Sequence, residues 1–320
     1  MIASGSVPRL FIARRLAVDP AAVAGDGLEI DHWDEERPIP RQELLRRAAF
    51  ADAIVATLSD RVDAELLAAA PRLRVVANHA VGYDNVDVAA CTTRRVWVCN
   101  TPDVLTDATA DLTFALILGV ARRVREGERI VREARWKYWA PTMLLGLELR
   151  GAVLGIVGYG RIGRAVAERA RGFGMEVIWS GGSAAGSVPL DDLLARSDIV
   201  SIHCPLTPAT RHLIGPPQLS RMKRTALLVN TARGPIVDEA ALCAALEAGT
   251  IGGAGLDVFE DEPRVHPGLL GRDDVVLVPH IGSATGATRA RMAELALTDA
   301  ARVLRGERPI HPVNEVSGFS

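Results

Sequence analysis

The sequence predicts an α/β protein with two doubly wound domains, one inserted into the other. Short apolar runs alternate with helical stretches along most of the chain, which is the pattern of mostly parallel sheets covered by helices. The length of 320 residues suits two domains of roughly 150 residues each. A glycine-rich turn begins only at Gly158, after a complete α/β unit, which we interpret as the start of the inserted domain's sheet.

Residues 8–100 form the first predicted α/β unit. Strands are expected at Arg9–Ala13, Ala53–Thr57, Arg74–Asn78 and Val96–Cys99, and helices at Arg41–Arg47 and Asp63–Ala69. The turn residues of Asn100–Asp103 end the unit. A helical stretch then extends from Asp107 to Ala134, apolar in its first half and charged in its second. We interpret it as a core helix between the domains, although the same composition suits contact with a second subunit.

Six further apolar runs predict the sheet of the second unit. They are Ala152–Val157, Glu176–Trp179, Asp198–His203, Ala226–Asn230, Gly253–Val258 and Val275–Val278. A helix over Glu239–Ala248 is capped by Asp238 and stopped by Gly249, and Thr285–Arg305 is again helical. These elements predict one domain of residues 1–102 and 286–320 and an inserted domain of residues 103–285.

Composition and charge exclude several classes of protein. An apolar fraction of 48% and a charged fraction of 24% are typical of a globular chain, not of a disordered or collagen-like one. With 37 basic and 39 acidic residues, the chain has no surplus charge to attract nucleic acid or an anionic membrane. The most apolar helical run, Leu112–Ala121, is far shorter than the about 20 residues of a membrane span. We therefore expect neither a nucleic-acid partner nor a membrane.

The cysteines and histidines also limit the possibilities. Four scattered cysteines without a CxxC pair are typical of a reducing compartment, and arginines interrupt the N-terminal region where a signal peptide would be apolar. The chain is therefore predicted to be cytoplasmic. No group of histidine, cysteine and acidic residues has metal-ligand spacing, so no metal is expected.

The segment Gly158–Gly163 reads Gly-Tyr-Gly-Arg-Ile-Gly and lies between a predicted strand and a predicted helix. Gly158 permits a tight turn, Gly160 lets the backbone approach a pyrophosphate, and Gly163 allows close packing of helix and strand. The helix N-terminus would face the negative charge of the phosphates. Such glycine patterns also arise by chance, but in this setting the motif predicts a dinucleotide-binding site.

The end of the next predicted strand bears on the choice between NAD and NADP. Sites for NAD place a carboxylate about 20 residues after the turn, where it holds the ribose 2′-hydroxyl. Here the strand ends Trp179-Ser180-Gly181-Gly182-Ser183, with no carboxylate to repel a 2′-phosphate and no arginine to clamp it. We predict NADP, as NADPH, to be the preferred cofactor, and NAD remains the alternative.

Five segments, in order along the chain, are similar to one known family. They are Gly158–Gly163, His203–Thr210, Val229–Gly234, Gly255–Pro263 and Pro279–Thr285. Through them the chain resembles the D-isomer-specific 2-hydroxyacid dehydrogenases, and within that family the glyoxylate/hydroxypyruvate reductases. The resemblance implies a Rossmann cofactor domain inserted into a flavodoxin-like substrate and catalytic domain. It also implies NAD(P)H-dependent reduction of a small 2-oxo acid, with glyoxylate or hydroxypyruvate first, to the D-2-hydroxy acid.

The resemblance implies that Arg233, Glu262 and His280 form the catalytic set, and the chemistry agrees. A guanidinium can hold the carboxylate and adjacent ketone of a 2-oxo acid in a forked geometry. Hydride delivery builds negative charge on the ketone oxygen, which an imidazole, of ordinary pKa about 6.5, can neutralise with a proton. Glu262 would orient the His280 ring and stabilise the imidazolium.

Taken singly, each of these residues has an ordinary structural explanation. Arg233 alone is typical of a helix cap or of the surface, Glu262 of a solvated acidic loop, and His280 of a strand end. Their combination favours catalysis, because catalytic groups gather at the carboxyl ends of parallel strands. The histidines that we interpret as structural or surface residues are His79, His203, His212 and His266.

Further contacts follow from the resemblance alone. Asp257 would hold the nicotinamide carboxamide, and the backbone N–H groups of Val81 and Gly82 would receive the substrate carboxylate; a plain strand-to-helix turn that needs Gly82 is the alternative. The implied cofactor contacts are Thr109, Gly158, Gly160, Arg161, Ile162, Gly163, Ser180, Gly181, Cys204, Pro205, Thr210, Thr231, Ala232, Arg233, Asp257, His280, Gly282 and Ser283. The implied substrate contacts are Val81, Gly82, Trp139, Arg233 and His280.

The resemblance also implies a homodimer. In the branch that the chain resembles most, a tryptophan in the setting Trp139-Ala140-Pro141 projects from a neighbouring subunit towards the substrate. A tryptophan of the core or of an interface is the alternative, and both remain open.

The same fold also carries other functions. A nucleotide-sensing interaction protein, like the corepressor branch of the family, is the alternative function, because a binding module can keep the same residues. Formate dehydrogenase resembles the family but has glutamine where Glu262 stands. L-specific dehydrogenases place the glycine turn near the N-terminus. We expect neither of these two dehydrogenases.

Overall fold

The computed structural model describes residues 7–182 and 185–316, and Ser183 of the strand-end motif lies outside them. The chain divides into two compact units, one of Met1–Leu105 with Ala284–Ser320 and one of Thr106–Ser283. Each unit contains one wholly parallel sheet with helices, so the predicted α/β class is confirmed. Among the helices of the described residues, none combines the length and apolar composition that crossing a membrane requires.

The first unit is built on a five-stranded parallel sheet of order β2-β1-β3-β4-β5. Its strands are β1 (Arg9–Ile12), β2 (Glu29–His32), β3 (Ala53–Ala56), β4 (Val75–Asn78) and β5 (Trp97–Cys99), and its first helices are α1 (Pro20–Ala24), α2 (Arg41–Ala48), α3 (Ala64–Ala69) and α4 (Val88–Thr93). Strand β2 was not predicted from the sequence. This edge strand carries two acidic residues and is only partly buried, so it lacks the continuous apolar run of a central strand.

The second unit contains a six-stranded parallel sheet of order β11-β10-β9-β8-β6-β7. The strands are β6 (Val153–Val157), β7 (Glu176–Ser180), β8 (Ile199–Ile202), β9 (Leu227–Asn230), β10 (Gly253–Leu256) and β11 (Val275–Leu277), and the helices are α5 (Thr106–Ala121), α6 (Val124–Arg132), α7 (Arg161–Gly172), α8 (Leu190–Arg196), α9 (Pro216–Arg221) and α10 (Glu239–Glu247). Strand β6 has β7 on one side and β8 on the other. The order therefore reverses at β6, and ligands of doubly wound sheets bind at the carboxyl ends of the strands at such a point.

The single long helix expected from Asp107 to Ala134 is wrong: the segment forms two helices, α5 and α6. The break falls at Arg123, whose backbone is left-handed (φ +51°) and whose guanidinium pairs with Glu126. One face of α5 is buried, whereas no residue of α6 is buried. The change from an apolar to a charged sequence marks the point where the chain leaves the core.

The last helix, α11 (Gly286–Leu304), returns the chain to the first unit. Its N-cap is Thr285, whose hydroxyl accepts a hydrogen bond from the Thr288 N–H at 3.1 Å. Its buried face packs beneath β3 and β4. The predicted helix over Thr285–Arg305 is thus present within one residue of its expected limits.

Candidate active site

The glycine-rich turn lies at the carboxyl end of β6, and each of its three glycines has a distinct geometric reason. Gly158 has φ +94°, and a Cβ there would lie 2.5 Å from the Cys204 nitrogen. A Cβ on Gly163 would lie 2.4 Å from the Gly158 oxygen. Gly160 is the N-cap of α7, and a Cβ there would meet nothing within 4 Å. The backbone at Gly160 is therefore bare and open, which fits a pyrophosphate at the helix N-terminus.

The end of β7 lies against this turn. The Ser180 carbonyl accepts a hydrogen bond from the Gly158 N–H at 2.9 Å, and the Gly181 N–H donates to the Ser187 hydroxyl at 3.0 Å. Gly181 and Gly182 both have left-handed backbones, with φ +78° and +85°. Residues 179–182 contain no carboxylate, so the strand end carries no negative charge where a ribose 2′-substituent is expected.

The loop after β8 is shaped by its own hydroxyl groups. The Thr210 hydroxyl donates to the Pro205 carbonyl at 2.7 Å and accepts from the Thr207 N–H at 2.8 Å. Burial raises the pKa of the Cys204 thiol to about 11, so this thiol stays protonated at neutral pH. The cofactor contacts expected of Cys204, Pro205 and Thr210 stay predictions.

His203 lies at the start of this loop. Its Nε2 is 2.7 Å from the Ser201 hydroxyl, and burial lowers the pKa of the imidazole to about 3. The ring is therefore neutral near pH 7. This environment agrees with the structural interpretation of His203.

The loop that carries Arg233 follows β9 and is held by Asn230. The Asn230 side chain accepts a hydrogen bond from the Ala232 N–H at 3.0 Å and donates to the Arg233 carbonyl at 2.9 Å. The Arg233 Nη1 donates to the Ala232 carbonyl at 2.8 Å. A Cβ on Gly234 would lie 1.8 Å from the Phe259 oxygen, so only glycine fits. This close approach fixes the Arg233 loop against the segment that leads to Glu262.

Glu262 and His280 are in direct contact. The Glu262 Oε2 lies 2.8 Å from the His280 Nδ1, and its Oε1 accepts a hydrogen bond from the Phe259 N–H at 3.0 Å. Burial acts to raise the pKa of the Glu262 carboxyl. The hydrogen bond and charge of His280, aided by the Phe259 N–H and the Arg233 charge, outweigh burial, so the net pKa is lowered. At neutral pH an ionised carboxylate therefore faces the imidazole.

The backbone around His280 is itself unusual. His280 has φ +51°, the left-handed region that residues other than glycine rarely adopt. Its N–H donates to the Asp257 carbonyl at 2.8 Å. The buried Asp257 carboxylate accepts the N–H groups of Ile281 at 2.6 Å and Gly282 at 2.8 Å. Burial raises the pKa of Asp257, although these two N–H groups act to lower it. Asp257 thus holds the His280 turn in place, and its expected contact with nicotinamide stays a prediction.

A chain of threonine hydroxyls connects three of the expected contact residues. The Thr109 hydroxyl donates to the Gly282 carbonyl at 3.3 Å. Thr113 donates to the Thr109 carbonyl at 2.8 Å, and its hydroxyl lies 3.0 Å from that of Thr231. Thr113 was not among the residues predicted from the sequence. The signal was a hydroxyl residue inside an apolar helix, one turn after Thr109, where it shares the same face.

The loop expected to bind the substrate carboxylate belongs to the first unit. The Asn100 side chain donates to the Val81 carbonyl at 2.8 Å, and the Asn78 side chain donates to the Gly82 carbonyl at 2.9 Å. Within the described residues, neither the Val81 nor the Gly82 N–H donates to an acceptor. The two carbonyls are thus satisfied by side chains, while the two N–H groups are available to an anion.

Trp139 does not lie in a hydrophobic core. It is 76% exposed, and its neighbour Tyr138 is 74% exposed. Trp139 lies in a segment without helix or strand that follows α6. Of the alternatives raised by the sequence, a core tryptophan is therefore wrong, and the contact with a neighbouring subunit stays a prediction.

The chemistry available in the second unit is that of anion binding and proton transfer. Glu262 and His280 form a carboxylate–imidazole pair, and the charge of Arg233 acts on the same carboxylate. In the part of the chain that the structure describes, no group of three or more histidine, cysteine or acidic residues could hold a metal ion. A bound dinucleotide fits the bare backbone at Gly160 and the uncharged end of β7.

Comparison with known proteins identifies close relatives. Residues 114–282 match the family model described as D-isomer specific 2-hydroxyacid dehydrogenase, NAD binding domain. A glyoxylate reductase of Korarchaeum cryptofilum is 48% identical, over 96% of both chains. The crystal structure of a protein from Thermus thermophilus has a TM-score of 0.90 at 44% identity and covers 96% of this chain and 100% of that one. An NADPH-dependent glyoxylate/hydroxypyruvate reductase of Sinorhizobium meliloti, in complex with NADP and malonate, has a TM-score of 0.84 at 32% identity and covers 96% and 97% of the two chains.

Proposed function

The chain belongs to the D-isomer-specific 2-hydroxyacid dehydrogenase family, and from this premise we propose that it reduces glyoxylate and hydroxypyruvate to the D-2-hydroxy acids with NADPH or NADH. The contact between Glu262 and His280 carries the proposal, because it supplies an oriented proton donor in the same unit as the dinucleotide turn. The names of the relatives support the choice of substrate. None of the three relatives described above is named as a nucleotide-sensing interaction protein, so the alternative function has no support.

The proposed mechanism assigns one task to each side chain. The nicotinamide, when bound, supplies a hydride to the ketone carbon. Because Glu262 occupies the His280 Nδ1, the Nε2 is the nitrogen free to donate a proton to the ketone oxygen. The Arg233 guanidinium holds the substrate carboxylate and the ketone oxygen together. The open N–H groups of Val81 and Gly82 are proposed to receive the carboxylate as well.

The proposed function is tested by measuring NADPH and NADH oxidation with several 2-oxo acids. The panel is glyoxylate, hydroxypyruvate, phenylpyruvate and 2-oxogluconate, each supplied with each cofactor. We expect the highest kcat/KM for glyoxylate or hydroxypyruvate. Absence of NADPH and NADH oxidation with every acid would overturn the proposal. A higher kcat/KM for a bulky acid would replace glyoxylate and hydroxypyruvate as the proposed substrates.

Cofactor preference follows from the uncharged end of β7, and we propose NADP over NAD. The substitution Ser180→Asp would place a carboxylate beside the ribose, where it repels a 2′-phosphate and accepts the 2′-hydroxyl of NAD. We expect the ratio of kcat/KM for NADPH to that for NADH to fall at least about tenfold, which corresponds to about 1.4 kcal/mol. The neutral variant Ser180→Asn is the matched control. An equal ratio in the two variants would contradict this assignment.

The partner that we propose is a second copy of the chain, as a homodimer that covers α6. This helix has no buried residue, and Val124 and Val131 on it are 56% and 59% exposed, close in sequence to Trp139. The substitution Val131→Glu should convert the dimer into monomers in sedimentation velocity and raise the KM for glyoxylate, whereas Phe50→Glu, at an exposed site of the first unit, should not. A monomeric wild-type chain with full activity would refute the proposed partner.

The division of labour between the domains is also a proposal. We propose that residues 103–285 bind the dinucleotide and that residues 1–102 and 286–320 form the substrate domain, supported by the glycine turn in one and the Val81–Gly82 loop in the other.

The four cysteines Cys91, Cys99, Cys204 and Cys243 are free thiols. This supports a reducing compartment, and we propose the cytoplasm.

A further inference from the structure

Beside the glycine-rich turn, two aromatic rings and an arginine form a stack. The rings of Tyr159 and Trp179 lie parallel, with their centroids 4.4 Å apart and an angle of 14° between their planes. The Arg164 guanidinium lies 4.8 Å from the centroid of Tyr159. Tyr159 is the second residue of the turn, and Trp179 immediately precedes Ser180.

The stack lies against the strand end where the ribose substituent is expected. A Cβ on Gly182 would lie 3.5 Å from the Tyr159 carbonyl oxygen, so the backbones of the turn and the strand end are neighbours. Arg164 is in the first turns of α7, where a cation receives no benefit from the helix dipole. The helix dipole therefore does not explain its position there.

Arg164 and Arg169, two arginines of α7, make different kinds of contact. Arg169 pairs with Asp107 and Asp111 and so ties α7 to α5. Arg164 is exposed and, within the described residues, forms no ion pair. The guanidinium lies over the ring of Tyr159, which orients it without neutralising its charge.

We propose that Arg164, held on the Tyr159–Trp179 stack, recognises the 2′-phosphate of NADP. The proposal rests on the proposed function, since it names a specificity residue for that enzyme's cofactor. The segment from Ser180 to Gly182 has no arginine that could bind a phosphate. In this proposal, Arg164 of α7 provides the missing positive charge. A guanidinium suits this task because it can stack on an aromatic ring and bind phosphate oxygens at its edge.

The test compares the variants Arg164→Gln and Arg171→Gln, both at exposed positions of α7. KM is measured for NADPH and for NADH, together with inhibition by 2′,5′-ADP and by 5′-AMP. For Arg164→Gln we expect the KM for NADPH and the inhibition constant of 2′,5′-ADP to rise about tenfold or more, while the values for NADH and 5′-AMP change less than about twofold. Arg171→Gln should leave all four unchanged.

A second variant, Tyr159→Leu, tests the role of the stack. It keeps the arginine but removes the ring that orients it, so we expect a smaller rise in the same two constants. The inference is overturned if Arg164→Gln changes both cofactors equally, changes neither, or if the wild-type chain binds 2′,5′-ADP no better than 5′-AMP. Oxidation of NADH with glyoxylate would continue in each of these cases, so the proposed function would stand even where this inference fails.

Discussion

Replacing His280 by asparagine is expected to lower kcat for 2-oxo acid reduction by about 10²- to 10⁴-fold, the usual contribution of a general acid. Asparagine cannot supply the proton that the developing alkoxide requires. It is nevertheless suited to the left-handed backbone at this position (φ +51°), because asparagine is among the residues that tolerate this region. Single-turnover and steady-state rates of NADPH oxidation with glyoxylate measure the loss.

The matched control is His32→Gln, which removes a histidine from the edge strand β2 of the first unit. NADPH binding, followed by fluorescence, should persist in both variants because the glycine turn is untouched. The second substitution His280→Ala should show the same loss of kcat with a larger loss of thermal stability, since alanine is less tolerant of the left-handed region. A near-normal kcat in His280→Asn would remove this residue from the role of acid.

The pH dependence of kcat/KM distinguishes the role of Glu262 from that of His280. The pKa of Glu262 is lowered, so its carboxylate is charged at neutral pH and stabilises a positive charge on the ring 2.8 Å away. Reduction requires the protonated ring, and activity therefore falls as the pH rises. In Glu262→Gln the stabilising charge is absent, and we expect the alkaline limb of kcat/KM to move to lower pH. A limb that does not move would contradict the electrostatic role of Glu262.

The substitution Arg233→Ala is expected to lower kcat/KM for glyoxylate about 100-fold or more. Charge-assisted hydrogen bonds each contribute about 1.5–3 kcal/mol, tenfold corresponds to about 1.4 kcal/mol, and the guanidinium would form two such bonds to the 2-oxo acid. Both kcat and KM should change, because the same group is proposed to bind the carboxylate and to polarise the ketone. Arg233→Lys should recover little, since an ammonium keeps the charge but loses the fork.

Arg264→Ala is the matched control for Arg233. Arg264 is exposed, lies near Glu262 in sequence and pairs with Asp261, so its removal tests for a general effect of lost positive charge. Its kinetic constants should remain within about twofold of those of the wild type, since exposed ion pairs contribute little. If Arg233→Ala also retained wild-type constants, the guanidinium would have no part in substrate binding.

Much of the fold could be predicted because buried parallel strands are short, continuous apolar runs. The central strands β3, β4, β8 and β9 are buried at every position, and their apolar runs stand out between turn residues. The edge strand β2 was not predicted, because it is only partly buried and is not a continuous apolar run. The break between α5 and α6 was not predicted either, because a left-handed arginine has no signature in composition.

The sequence by itself determined which residues could be proposed for the site: its resemblance to the family implied Arg233, Glu262 and His280, and the predicted strand ends put Arg233 and His280 at one edge of one sheet. Only the tertiary structure decided how they meet. The contact between Glu262 and His280 spans 18 residues, and the approach of Gly234 to Phe259 spans two loops. Contacts of this kind depend on side-chain direction and on which strands are neighbours, and local periodicity contains neither. For the same reason Arg164 could not be recognised from the sequence. There it is an ordinary helix residue, whereas in the fold its guanidinium lies over the ring of Tyr159.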